Sequence, residues 1–87
     1  MKIIIKESLL DKIDAKWIYF LLKSKTEKTA IYSVLSKEGD FLLGEIKWFS
    51  RWRKYAFFPT KDTVYESKCL TDIAVFLDDL MQKRKKV

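Results

Sequence analysis

Apolar and polar residues alternate in short runs along the middle of the chain, and this pattern predicts β-strands. The runs are rich in β-branched and aromatic residues, which favour extended backbone, and polar segments with turn residues separate them. They predict strands at 16–23, 29–36, 41–49 and 52–58, with shorter extended pieces at 3–5 and 63–65. The connection at 50–51 has the length of a hairpin turn but contains neither Gly nor Asn, so a longer turn that includes part of the segment 47–59 is an equal alternative. Residues 8–14 fit either one helical turn or an irregular lead-in.

The C-terminal segment changes to helical spacing. Apolar residues recur there at steps of three and four, which is typical of an amphipathic helix, and the pattern predicts this helix at 67–84. Ser67 or Thr71 is placed to cap its start. The predicted apolar stripe consists of Leu70, Ile73, Ala74, Leu77, Leu80 and Met81, widened by Phe76.

Consecutive strands with short connections, followed by one helix, predict an α+β fold. The expected architecture is a meandering antiparallel sheet of four to five strands with one C-terminal amphipathic helix packed on one face. The 87 residues are expected to form a single domain. Its parts are an N-terminal strand or lead-in at 1–15, the sheet at 16–66, the helix at 67–84 and a basic tail at 85–87.

The alternation within each strand predicts which side chains face the helix and which face the open side of the sheet. Trp48, Ala56 and Phe58 are expected to anchor the helix. The faces richest in tyrosine and charge are expected to be open. They carry Trp17, Tyr19, Tyr32, Lys47, Phe49, Arg53 and Tyr55. A β-bulge would exchange the two faces.

The cysteine and histidine content restricts the chemistry. The chain has one cysteine, Cys69, and no histidine, so it lacks an internal disulfide, a histidine-activated nucleophile and the ligands of a zinc site. We expect no catalytic residue, no cofactor and no metal. A chain without disulfides fits the reducing cytoplasm. No apolar run approaches the roughly 20 residues of a membrane-spanning helix, so no membrane association is expected.

Charge and aromatic residues combine in residues 47–59. The whole chain has a formal net charge of +6, and this segment interleaves six aromatic rings with four cations and no acid. Cations neutralise phosphates and aromatic rings stack on unpaired bases, so we expect a non-catalytic module for single-stranded DNA or RNA with low sequence specificity. A sheet that enters a duplex groove is a variant. The expected phosphate contacts are Lys47, Arg51, Arg53 and Lys54, and the expected stacking residues are Trp17, Tyr19, Phe49, Trp52 and Tyr55.

The same residues also have structural explanations. Aromatic rings fill the core of a small sheet protein, and cations on strand edges keep sheets from adding to each other. Exposed tryptophan, tyrosine and arginine also dominate protein interfaces. A protein-interaction module that uses the same aromatic and arginine residues is therefore the alternative function.

Two resemblances accompany these patterns. The order of four strands and a C-terminal helix, basic and aromatic on the sheet, resembles the PC4-like single-stranded DNA-binding domains across residues 16–84. This resemblance implies a homodimer that lays DNA across its sheets, and it carries over no individual residue. A second pattern is similar to small uncharacterised proteins of tailed phages that infect gut bacteria. It comprises Gly44-x-Ile46-Lys47-Trp48-Phe49-x-x-Trp52-Arg53-x-Tyr55-x-Phe57-Phe58-Pro59 with Cys69-Leu70-x-Asp72-Ile73 downstream.

The phage resemblance brings no known activity. It implies the host cytoplasm as the location. It also gives the alternative function a concrete form, a phage-encoded inhibitor or an auxiliary protein of a larger assembly.

Overall fold

The computed structural model describes residues 12–85, without the side chain of Lys85. Five strands form one antiparallel sheet in chain order, and the C-terminal helix packs on one of its faces. The predicted α+β fold is confirmed. The strand predicted at 3–5 lies outside the described residues. The elements are β1 (Lys12–Asp14), β2 (Ile18–Lys25), β3 (Ala30–Ser36), β4 (Leu42–Phe49), β5 (Lys54–Pro59) and α1 (Ser67–Lys85).

The connections explain where the strands end. Between β3 and β4 the chain reverses at Gly39, whose φ of 86° suits a residue without a β-carbon. Between β4 and β5 lies a four-residue turn, 50–53, in which the Trp52 N–H donates to the Phe49 carbonyl. Trp52 and Arg53 therefore belong to this turn, and the strand predicted at 52–58 begins at Lys54. The extended piece predicted at 63–65 lies outside the sheet. Of the segment 8–14, predicted as a helical turn or an irregular lead-in, residues 12–14 form β1 and residues 8–11 lie outside the described residues.

The core lies between the sheet and α1. Phe20 of β2 stacks on Phe76 of α1, with 4.1 Å between ring centroids and 13° between the ring planes. Tyr32 meets Phe76 edge-on at 4.9 Å. These rings hold the middle of α1 on the central strands. The buried residues are Ile18, Phe20, Tyr32, Val34, Ile46, Tyr55, Ile73 and Phe76.

The helix differs from the prediction in its cap and in the centre of its buried stripe. The Glu66 carboxylate accepts the N–H groups of Lys68 and Cys69, so Glu66 caps the helix rather than Ser67 or Thr71. The buried stripe is centred on Ile73 and Phe76. Half-buried residues flank it, whereas the predicted stripe members Leu70 and Ala74 are exposed.

The structure corrects several predicted sheet faces. Tyr32 and Tyr55, predicted on the open face, are only 3% and 8% exposed beneath α1. A tyrosine hydroxyl suggested exposure, but both rings are large apolar surfaces that pack in the core. Ala56 and Phe58, predicted to anchor the helix, lie on the open face opposite Lys47 and Glu45.

The reason for the error in β5 is local. The charge of Arg53 predicts that the face of β5 carrying Tyr55 is open to solvent. Arg53 lies in the turn and so gives no information about where Tyr55 points. The prediction that Trp48 faces the helix is confirmed, because its ring meets that of Tyr55 at 5.5 Å.

Candidate nucleic-acid interface

The open face of the sheet can be followed from strand to strand through the register of paired residues. Ser33 of β3 lies opposite Leu21 of β2 and opposite Glu45 of β4, and Glu45 lies opposite Phe58 of β5. One step towards the β4–β5 turn, Lys47 is paired with Ala56. Directly paired residues share a face of the sheet. These pairings place Phe58 on the open face of the sheet, at its border, because β5 is an edge strand.

Three aromatic rings cluster at this border. Phe49 of β4 meets Trp52 of the turn edge-on, with centroids 4.8 Å apart, and meets Phe58 of β5 at 5.9 Å. Phe49 and Phe58 are half-buried, whereas Trp52 is 64% exposed. Edge-to-face packing fixes the rings against one another and leaves ring surface open to solvent. The cluster therefore offers apolar surfaces on which a planar base can stack.

Cations surround these rings. The Lys47 ammonium lies 4.7 Å from the Phe58 centroid, and the Arg51 guanidinium lies 6.0 Å from that of Phe49. Lys54 is paired with Phe49 across β4 and β5 and is exposed. We call these six residues the β4–β5 patch. It consists of Lys47, Phe49, Arg51, Trp52, Lys54 and Phe58.

The chain segment that forms the β4–β5 patch has no acidic residue. Residues 46–61 contain no aspartate or glutamate. The acid next to the patch on the open face is Glu45, whose carboxylate lies 2.5 Å from the Lys23 ammonium. This bond holds the pKa of Glu45 below its usual range. The neighbouring carboxylate is thus paired mainly with Lys23 and interacts more weakly with Lys47 of the patch.

Further cations gather at the same end of the molecule. The β2–β3 connection and the β4–β5 turn lie at one end of the sheet, because Lys25 is paired with Ala30 and Phe49 with Lys54. The α1 C-terminus reaches this end, where Arg84 donates to the Lys28 carbonyl. Clustered cations raise the local potential for polyanions. The additional cations at this end are Lys25, Lys28, Lys83 and Arg84.

The remaining predicted site residues are separated from the patch. Trp17 precedes β2 at the opposite end of the sheet, with the Lys16 ammonium 5.3 Å from its ring centroid. Tyr19 lies on the open face, where its hydroxyl donates to Asp40. This bond raises the pKa of Tyr19, and the Lys12 ammonium covers the ring at 4.8 Å. Trp17 and Tyr19 therefore form a separate group from the patch.

Arg53 follows Trp52 in the turn and has a left-handed backbone, with φ of 55°. Its side chain is exposed. An arginine here carries a conformational cost that glycine would avoid. The Arg53 guanidinium therefore lies next to the patch, at a position whose backbone conformation glycine adopts more readily.

The chain is similar to a small protein of a phage. An uncharacterized 9.3 kDa protein of Acholeplasma phage L2 is 34% identical to this chain over 77 residues, which cover 87% of this chain and 99% of the relative. The chain belongs to the same family as this phage protein. No family model matches the chain, and no solved structure gives a significant match.

Membership of this phage family confirms the predicted resemblance to small phage proteins. The relative's name specifies neither a tailed phage nor a gut host, so those two details stay predictions. Without a matching solved structure, the resemblance to PC4-like domains rests on the order of elements alone.

Phe58 and Arg84 of this chain were not predicted as site residues. The alternation in β5 predicts Phe58 on the helix side, and Arg84 was predicted only as a residue of the helix at 67–84. The Arg84 guanidinium lies 3.9 Å from the Trp48 centroid on the helix side of the sheet. The cation and the indole are 36 residues apart in sequence, and no local spacing signals that they meet.

Residues 12–85 contain no group of three or more histidine, cysteine, aspartate or glutamate side chains that could bind a metal ion. The same part of the chain has no helix long and apolar enough to cross a membrane. Burial and the Glu66 carboxylate raise the pKa of the Cys69 thiol, which keeps it in its neutral form.

Proposed function

We propose that this protein is a non-catalytic nucleic-acid-binding module that prefers single strands and has little sequence specificity. The observation that carries the proposal is the β4–β5 patch, where rings that share one surface are flanked by cations and no acid interrupts residues 46–61. Proteins that bind single strands combine these two elements, a stacking surface and a cationic path for the backbone.

In this proposal each type of side chain has its own role. Trp52, the most exposed ring of the patch, stacks on a base. Phe49 packs against Trp52, and Phe58 packs against Phe49. Lys47, Arg51 and Lys54 contact phosphates around the rings, and Arg53 adds a further cation from the turn. Stacking tolerates any base, because every base has an aromatic face. This explains why the proposed specificity is low.

The resemblance of residues 16–84 to PC4-like domains, a prediction from the sequence, also favours the sheet as the binding surface. Within this proposal the protein acts in the host cytoplasm, where phage nucleic acid is exposed during infection. A homodimer would join two patches into a longer path for the strand, and native mass spectrometry measures whether the pair forms.

Fluorescence anisotropy with a labelled oligothymidylate of about ten nucleotides tests this proposal. Trp52→Ala is expected to weaken binding about 5- to 100-fold, because stacking contributes roughly 1 to 3 kcal/mol per base. Trp17→Ala is the matched control, since Trp17 is also exposed, at 53% against 64% for Trp52, and also lies beside a cation.

The control is expected to bind within about twofold of the unchanged protein. A duplex of the same length is expected to bind more weakly than the single strand. Tighter duplex binding would instead favour insertion of the β4–β5 ribbon into a groove. Absence of binding at low salt, or equal losses for the Trp52 and Trp17 variants, would exclude the proposal.

A protein-interaction module is the second candidate, and its support lies at the other end of the sheet. Phe41, in the β3–β4 connection, and Leu42, the first residue of β4, are 67% and 46% exposed, and Trp17 lies at the same end. Neighbouring exposed apolar side chains mark interaction surfaces. If this candidate holds, Phe41→Ser abolishes capture of a host partner from nuclease-treated lysate, whereas Trp52→Ala leaves it intact.

A further inference from the structure

A cavity of about 390 Å³ opens on the helix side of the sheet, between the β2–β3 connection and the last turns of α1. Leu80 and the rings of Tyr32 and Tyr55 contribute its apolar walls. A cavity of this size is in the range of small-molecule sites. It lies on the opposite face of the sheet from the β4–β5 patch. Four cations also line it, and these are Lys25, Lys28, Lys83 and Arg84.

Arg84 is held in a fixed position at this cavity. Its guanidinium stacks on Trp48 at 3.9 Å, and its Nη1 donates to the Lys28 carbonyl at 2.5 Å. No carboxylate of the described residues lies within ion-pair distance of it. A guanidinium has five N–H donors in a planar fork, so most of them are available to an anion. The contacts with Trp48 and Lys28 position this fork in advance of binding.

Tyr55 supplies a second polar group at the cavity wall. Its hydroxyl oxygen accepts the Ala30 N–H at 3.1 Å, and both residues line the cavity. Among the described residues, no hydrogen bond uses the proton of this hydroxyl. The hydroxyl belongs to a residue that lines the open cavity, so its proton is available to a bound group. An oxygen-bearing ligand would accept this proton.

Two features oppose anion binding and have to be weighed. The C-terminus of α1 carries partial negative charge, and the Glu27 carboxylate stands on the rim. The helix dipole alone accounts for Lys83, because cations near a helix C-terminus are favourable without a ligand. It does not account for Arg84, whose guanidinium is directed onto Trp48 and the β2–β3 connection. Glu27 is the one acid in the lining, and four cations outnumber it there.

We propose that this cavity binds a nucleotide through a terminal phosphate group. The phosphate pairs with the Arg84 fork and the nearby lysines Lys28 and Lys83. The cavity is larger than a phosphate and its walls are partly apolar, so the ligand carries an organic ring system, which packs beside Leu80. A free nucleoside monophosphate and the phosphorylated end of a strand share this chemistry. The proposal does not depend on nucleic-acid binding at the β4–β5 patch.

The test uses Trp48 as the reporter. The chain has three tryptophans, so the double variant W17F/W52F leaves only the indole that stacks on Arg84. The same variant replaces the exposed Trp52 indole of the β4–β5 patch with a phenyl ring, so the recorded emission reports on the surroundings of Trp48 and not on the patch. Thymidine 5′-monophosphate, thymidine and inorganic phosphate are titrated while the Trp48 emission is recorded. The monophosphate is expected to produce a saturable change, with thymidine binding at least about tenfold more weakly.

Substitutions in the same background assign the site. Arg84→Ala is expected to weaken binding of the monophosphate about 10- to 100-fold, and Arg84→Lys to recover only part of the loss because lysine lacks the planar fork. Lys68→Ala is the matched control. It removes one cation from the other end of the same helix and is expected to leave affinity within about twofold. If Arg84→Ala does not fold, Lys83→Ala replaces it, with a smaller loss expected.

Oligothymidylates with a 5′-phosphate or a 5′-hydroxyl then distinguish the two sources. Preference for the phosphorylated strand identifies strand ends as the ligand, and response to the free monophosphate alone identifies a small-molecule site. No saturable change in Trp48 emission at about 10 mM monophosphate would overturn the proposal. Equal losses for Arg84→Ala and Lys68→Ala would overturn it as well, because they would show general charge attraction.

Discussion

The ring of Phe57 lies against the backbone of Gly44, so that a β-carbon built on this glycine would come within 2.7 Å of two ring atoms. The same β-carbon would stand 2.6 Å from the carbonyl oxygen of Phe58. The absence of a side chain in the middle of β4 thus lets β5 and its ring approach closely. This contact holds Phe57 on the helix side, where its ring meets Tyr65 edge-on at 5.4 Å.

Gly44→Ala is therefore expected to destabilise the fold by about 1 to 3 kcal/mol, the usual range for overpacking. The flexible ring can move, but the Phe58 carbonyl belongs to the strand ladder and cannot. Urea denaturation measures the change. Ser33→Ala, a substitution on the open face of the neighbouring strand, is expected to stay within about 0.5 kcal/mol of the unchanged protein. Similar midpoints for the two variants would show that the approach of Phe57 to Gly44 is not tight.

The stacked pair Phe20 and Phe76 gives a second stability prediction. Phe76 is 6% exposed and contacts rings from both β2 and β3, so Phe76→Ala leaves a cavity at the centre of the core. The expected loss is about 3 to 5 kcal/mol, a large part of the total stability of a small domain. Val75→Ala, next to it on α1 but 54% exposed, is expected to cost less than about 0.5 kcal/mol. Equal losses in thermal denaturation would contradict the position of Phe76 in the core.

The strand order and the helix were predictable because they depend on local patterns. Alternating apolar runs, Gly39 at a reversal and helical spacing after residue 67 each act within a few neighbouring residues. The faces of β2 and of residues 44–49 of β4 were also predictable, because Phe20 and Ile46 leave little choice about which side is buried. Leu42 at the start of β4, predicted on the buried face, is 46% exposed, because the β3–β4 register shifts between Val34 and Leu35. In these strands one face is clearly more apolar than the other.

The faces of β3 and β5 were not predictable in the same way. Their two faces are similarly apolar, so Tyr32 and Tyr55 were placed by their hydroxyls, and both turned out to be buried. Arg53, whose charge predicts the exposed face of β5, belongs instead to the four-residue turn after Phe49. The contact of Arg84 with Trp48 depends on where α1 ends relative to the sheet, and this is a tertiary property.

The cap of α1 predicts a dependence of stability on pH. The Lys68 and Cys69 N–H groups hold the pKa of the Glu66 carboxylate below its usual range. A group whose folded pKa is lowered stabilises the fold above the unfolded pKa of about 4.3, and this contribution is lost as the pH falls through the folded pKa. Glu66→Gln is therefore expected to reduce the fall in Tm below about pH 5. The residual fall would include Glu45, whose pKa is also lowered.

Glu38→Gln serves as the control for this measurement, because Glu38 is an exposed glutamate in the β3–β4 connection. Its profile of Tm against pH is expected to follow that of the unchanged protein. If the Glu66 and Glu38 variants show the same profile, the carboxylate cap does not contribute to the acid sensitivity of the fold.

The left-handed backbone of Arg53 predicts opposite effects on stability and binding. Arg53→Gly relieves the strained backbone and is expected to raise stability by up to about 1 kcal/mol, since glycine also has more freedom to lose on folding. The same change removes a cation beside the patch and is expected to weaken oligonucleotide binding. Asp62→Gly is the matched control, with φ of 61° at the opposite end of the sheet. It is expected to raise stability without weakening binding. A loss of binding in both variants would contradict a role for the Arg53 charge.

The last prediction concerns salt. Each phosphate contact with a single strand contributes about −0.7 to the slope of log affinity against log salt concentration. Four contacts would therefore give a slope of about −2.8, and removal of one would reduce its magnitude by about 0.7. The proposed contacts are Lys47, Arg51, Arg53 and Lys54.

Anisotropy titrations of Arg51→Ala and Lys61→Ala over a range of salt concentrations measure this difference. Lys61 lies in the loop after β5, at the opposite end of the sheet from Arg51, so its removal changes the net charge equally without touching the patch. Only Arg51→Ala is expected to reduce the slope. If both variants reduce it by the same amount, the oligonucleotide responds to the overall charge of the protein, and the β4–β5 patch is not where the strand lies.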